Sequence, residues 1–128
     1  MIYRWIVRKA ALAGWKRLSD QRVDEIPLAG DVHFVFFGDH PLAADLHDAD
    51  ALRAWLRELF TRFPRLRFEV EDMIVEGGPW STRVATRYSA VQDGRLIYRG
   101  VQFARVVWGK LAEERIQPDT QMLVANLN

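Results

Sequence analysis

Asp39 and His40 are the nearest approach to an acid–base pair in this chain, since a carboxylate can hold a neighbouring imidazole in one tautomer. They sit in Gly38-Asp39-His40-Pro41, whose glycine and proline mark a loop, so surface turn chemistry competes with catalysis there. His33, His40 and His47 are evenly spaced, with Asp39, Asp45 and Asp48 close by. Even spacing aligns ligands only within one regular element. These three fall on a strand, a loop tip and a segment before a helix, so no metal site is expected. Gln102 stands between the apolar Val101 and Phe103, and Tyr88 shares one strand track with Val84 and Thr86. An amide and a phenol so placed can orient a carbonyl or hydroxyl, or can be tethered core groups. Cys 0 removes disulfides, thiolate metal sites and cysteine nucleophiles. No serine lies in a Gly-x-Ser-x-Gly elbow, and Gly77-Gly78 runs into Pro79-Trp80 rather than the Lys and Ser/Thr of a phosphate loop.

The elements that must position these residues follow from periodicity. Ile2, Trp5, Ile6, Leu12, Trp15 and Leu18 recur at helical intervals among Arg4, Arg8, Lys9, Lys16 and Arg17, giving a first helix with a basic outer face. Val23 and Ile26 before Pro27 suggest a short helical turn, and Asp31 to Phe37 reads as a strand buried on both faces. Asp48 can cap a second helix whose stripe runs through Leu52, Trp55, Leu56, Leu59, Phe60 and Phe63 until Pro64 stops it. Beyond Pro64 the period becomes two, through Leu66, Phe68 and Val70 and then Val84, Thr86, Tyr88 and Ala90. Asp93-Gly94 marks a hairpin into a strand from Leu96 to Val107, and Trp108-Gly109-Lys110 turns that strand into a last one ending at Pro118.

With 128 residues, 49% hydrophobic, the chain fits one domain spanning 1–128. Lys+Arg 18 against Asp+Glu 17 is too balanced for a dedicated nucleic-acid binder. Charges interrupt the first residues, and no stretch approaches the roughly 20 apolar residues of a membrane span. A cytoplasmic protein without membrane attachment is expected.

The order of helix, short helix, aromatic strand, glycine-proline loop, capped helix and meandering strands resembles the nuclear transport factor 2-like superfamily. The phrases Gly38-Asp39-His40-Pro41-Leu42, Gly100-Val101-Gln102-Phe103, Gly109-Lys110-Leu111 and Pro118-Asp119-Thr120-Gln121 resemble its SnoaL-like branch. The resemblance implies an α+β, cone-shaped barrel, with helices packed in a strongly curved, mostly antiparallel sheet and a pocket at the wide end. It places Phe36 where a ketosteroid isomerase-like base would stand, Gln102 at the late-strand acidic donor, and a residue near Leu12 at the tyrosine. That isomerisation is therefore disfavoured. Tyr88 and Ala90 fall where limonene epoxide hydrolase-like aspartates would stand, so that chemistry fails too.

What remains is a pocket for a small, largely hydrophobic molecule, with cyclase-, isomerase- or hydrolase-type help from weak acid–base groups. Gln102, Tyr88 and Gln117 would contact the ligand, Phe34, Phe36 and Trp55 would supply walls, and His40 with Asp39 would be the catalytic pair. No cofactor is expected. The resemblance also implies a homodimer through an outer sheet face carrying Arg99, Val101, Phe103, Arg105 and Val107. The alternative is a non-catalytic dimerisation or partner-binding module with a small or filled pocket.

Overall fold

Val7, Ala11, Trp15 and Leu18 bring one face of α1 (Ile2–Ser19) down onto the core, in a computed structural model that describes residues 2–127. Of the expected stripe only Trp15 is buried, while Ile2, Trp5, Ile6 and Leu12 remain exposed. Of these, Ile6 lines a cavity that lies under the N-terminal half of α1, beside Tyr3 and Val7. A single 3₁₀ turn (Val23–Glu25) buries Val23 and leads into β1 (Leu28–Phe36), which starts three residues earlier than the sequence suggests.

Val32, Phe34 and Phe36 of β1 are buried on its inner face, whereas His33 between them is only partly covered. A short strand, β2 (Ala44–Leu46), folds back antiparallel on β1 and was not legible, because three residues carry no period. α2 (Ala49–Arg62) begins as expected: the backbone N–H of Ala51 donates to the Asp48 carboxylate at 2.8 Å. Its apolar stripe buries Leu52, Leu56, Leu59 and Phe60.

Four long strands then run antiparallel: β3 (Leu66–Gly78), β4 (Ser81–Gln92), β5 (Arg95–Val107) and β6 (Lys110–Pro118). The sheet order is β2-β1-β6-β5-β4-β3, with β1 and β6 as its parallel pair. Asp93 (φ 54°) and Gly94 (φ 77°) both take the left-handed conformation that closes the β4–β5 hairpin. Irregularities between Val70 and Asp72, Ala90 and Val91, and Arg105 and Val106 interrupt the ladders, and such bulges are how a long sheet bends around helices. α3 (Thr120–Leu127), a final helix, buries Leu123 and begins where the Asp119 carboxylate accepts a hydrogen bond from the Met122 N–H. The result is the expected helix-filled, strongly curved sheet. Val101 and Phe103 are exposed on its outer face, and no described helix is long and apolar enough to cross a membrane.

Candidate functional site

Strand register decides which polar groups face inward. Thr86 pairs with Gln102 and Gln102 with Ile116, while two steps away Val84 pairs with Ala104 and Ala104 with Glu114. Because side chains alternate along a strand, Gln102 and Glu114 share the concave face with Val84 and Ala104. That face, the underside of α1 and Leu52 and Leu56 of α2 enclose a cavity of about 420 Å³. The size suits a small organic ligand, and its walls are mostly apolar. A second depression, of about 250 Å³, lies over Asp24 and Arg57, which neutralise each other at 2.6 Å. The apolar cavity is the candidate site.

Glu114 is the carboxyl in its lining. Burial pushes its carboxyl up to about 7, and a hydrogen bond from the Gln102 amide pulls partly the other way. The side chain keeps some exposure because it faces the cavity rather than packed protein. A carboxyl balanced near neutrality can both take and return a proton. Gln102→Leu will remove the donor that favours the ionised form. The Glu114 pKa will then rise further, as read by carboxyl-carbon NMR titration, and an unchanged or lower value would show that the amide does not serve the carboxylate.

Two hydroxyls stand on the α1 side. Thr82 donates to the Gly78 carbonyl at 2.8 Å, so its oxygen is left to accept from the Tyr3 phenol, with which it is hydrogen-bonded. This fixes Tyr3 against the cavity wall. Thr86, opposite Gln102, buries a hydroxyl that has no protein partner among the described residues.

The residues singled out from sequence are distributed differently. Gln102 lines the cavity. Tyr88 lies on the inner track but deeper, fully buried, its hydroxyl 2.9 Å from that of Tyr98. Burial pushes both phenols well above their ordinary range, so the pair stays neutral. A Cβ at Gly100 would come within 3.0 Å of the Tyr88 hydroxyl, which is why a glycine stands opposite this ring. Phe34 and Phe36 pack on Trp55 with ring centroids 4.7 and 5.0 Å apart, and the Trp55 indole donates to the Leu42 carbonyl at 2.9 Å. The three form core behind the cavity and are not among its lining residues.

His40 accepts from the Leu42 N–H at 3.2 Å through Nδ1, so Nε2 carries the proton and donates to the Phe37 carbonyl at 3.0 Å. Both nitrogens are thus used in shaping the loop. Neither His40 nor the exposed Asp39 lines the cavity. Gln117 pairs with Val101 on the outer face and is exposed, because alternation from the inward Ile116 turns it away. The same alternation turns Glu114 inward. That signal was present in the sequence, but a Glu113-Glu114-Arg115 run reads as solvated until the register is known. His33, Asp45 and His47 come together on the sheet's other face without His40.

Residues 10–114 match the SnoaL-like domain family. No curated protein sequence matches the chain. Among solved structures, IdmH of Streptomyces antibioticus, a proposed polyketide cyclase, superposes with a TM-score of 0.71 at 21% identity, covering 93% of this chain and 96% of that one. Bal32a, from a soil-derived mobile gene cassette, gives a TM-score of 0.75 at 10% identity, covering 94% and 95%. An NTF2-like protein of Burkholderia pseudomallei gives 0.72 at 20% identity, covering 94% and 96%. At such identities the likeness shows the fold and leaves the chemistry to the site.

Proposed function

We propose, from the premise that the chain belongs to the SnoaL-like domain family, that its cone binds a small, largely apolar carbonyl compound and that Glu114 moves a proton on it. The observation that supports this reading is a carboxyl raised to about 7 inside a mostly apolar cavity of about 420 Å³. As carboxylate, Glu114 takes a proton from the carbon next to a carbonyl, and the electron pair of that C–H bond becomes an enolate. In a substrate folded so that a second carbonyl lies near, the enolate carbon attacks it and closes a ring. The Glu114 carboxylic acid then returns its proton to the new alkoxide, leaving the enzyme unchanged. Tyr3 has its proton engaged by Thr82, so it orients a ligand as an acceptor or a wall.

The mouth supports an apolar ligand as well. Trp108 lines it at φ 48°, in a left-handed turn position that asparagine or glycine would occupy with less strain. A tryptophan there contributes apolar surface at the rim, where it is 70% exposed.

A thermal-shift screen of aromatic and polycyclic ketones will give ligands that raise the melting temperature. Each ligand found is then incubated with the protein in D₂O. Deuterium will enter the carbon next to the carbonyl faster than in buffer alone, and Glu114→Gln will lose the acceleration. Binding without exchange would instead support a non-catalytic ligand-binding role, and no stabilising ligand at all would sink the reading.

A further inference from the structure

A second cluster of chemically capable side chains lies on the opposite face of the sheet. The antiparallel register of β1 and β2 pairs Phe34 with Leu46 and Val35 with Asp45. Continued by one step, it brings His33 opposite His47, with Asp45 diagonal to His33. Phe34 faces the core, so alternation places all three of these side chains on the outer surface. The His33 and His47 Nε2 atoms lie 2.8 and 3.2 Å from the same Asp45 oxygen, and the two imidazoles stand 4.5 Å apart.

We propose that His33, Asp45 and His47 bind a divalent first-row metal ion, zinc above all. One donor atom from each residue lies within 4.8 Å of the others. Ligands about 2.0–2.1 Å from zinc stand about 3.4 Å apart in a tetrahedral site. The observed 2.8 and 3.2 Å therefore need a small outward movement, and the two histidine nitrogens, within 4.8 Å of each other, need to settle at the same spacing. The His33, Asp45 and His47 side chains are 31%, 65% and 72% exposed, so the latter two have room to turn until their ligand atoms converge with that of His33. Two imidazoles and one carboxylate suit zinc, nickel or copper, while calcium and magnesium require sets of oxygen ligands absent here. Glu113, paired with His33 across β1 and β6, is held by Arg115 at 2.9 Å, which keeps the protein ligands at three and leaves a position for water.

The ion would tie the short edge strand β2 to β1. It would lie on the face opposite the cavity, so proton transfer by Glu114 does not depend on it. The test uses the untagged full chain, stripped with EDTA and titrated with ZnCl₂ by calorimetry. One zinc per chain is expected at micromolar affinity, weakened at least about tenfold by His47→Ala and by Asp45→Asn and unchanged by His40→Ala. Cobalt added to the parent chain is expected to give the visible absorption of an imidazole-bound ion. Melting temperatures in EDTA report whether each variant remains folded, and the cobalt spectrum stands without any variant. The proposal is overturned by no saturable binding below about 1 mM zinc, by no cobalt band, or by folded His47→Ala and Asp45→Asn variants that bind as the parent does. Equal weakening by His40→Ala would overturn it too.

Discussion

Glu114→Gln will be more stable than the parent chain at pH 8 and will lose a downward slope of stability that the parent shows between about pH 4.5 and 7. In the folded chain burial holds the Glu114 proton up to about 7, whereas an unfolded glutamate releases it near 4.5. Between those values the folded state carries a proton that the unfolded state has lost, so raising the pH favours unfolding. Below the window both states are protonated, and above it both are ionised. The full shift corresponds to about 3 kcal/mol at about 1.36 kcal/mol per pH unit. The side chain is partly exposed, so solvent screens part of this, and about 2 kcal/mol is expected, or about 8 °C for a domain of this length. Asp93 and Glu113 act in the opposite sense: Arg65 and Arg115 hold their carboxyls below the ordinary range, so the stability they add is lost as the solution becomes acidic. The difference between parent and variant isolates Glu114 from them. Thermal melts from pH 4 to 9 supply the measurement, and parallel curves would mean that the carboxyl titrates normally. In the exchange assay the same substitution will cost about 10²–10⁴-fold in rate, the usual worth of a positioned acid–base group.

The two halves of this site differ in how far the sequence discloses them. Gln102 is legible because an amide set into an apolar strand needs a hydrogen-bonding partner, and the wall of a pocket can supply one. Glu114 is not, since its face is settled only by pairing with Ala104, and the charged Glu113-Glu114-Arg115 run reads as solvated until that pairing is known. His40 is ambiguous for a different reason. An imidazole in a glycine-proline loop looks the same in sequence whether it is free to catalyse or bonded to Phe37 and Leu42. The long elements are legible because the period changes at Pro64 and the turns carry residues that tolerate positive φ, as at Asp93 and Gly94. The short strand β2 escapes notice, and with it the meeting of His33, Asp45 and His47, because cross-strand neighbours are set by pairing rather than by spacing along the chain.

Trp15→Ala will lower the melting temperature by more than about 10 °C while leaving a larger cavity. Trp15 is the buried anchor of α1, with its ring 4.6 Å from Tyr88 and 5.5 Å from Phe68. The rest of the helix adds only the partly buried Val7, Ala11 and Leu18, since Ile2, Trp5, Ile6 and Leu12 are exposed. Truncating a buried tryptophan costs about 3–5 kcal/mol, and about 1 kcal/mol moves the midpoint of a domain this size by about 4 °C. Trp15 also lines the cavity, so the variant separates two properties that the fold joins in one residue. Space opens beside the site, and bulkier ketones will then bind relative to smaller ones better than they do in the parent. Trp15→Phe, which retains most of the ring contact, will recover most of the stability. If Trp15→Ala instead melts within about 3 °C of the parent, α1 is held by contacts other than this ring, and the cavity roof is not built on it.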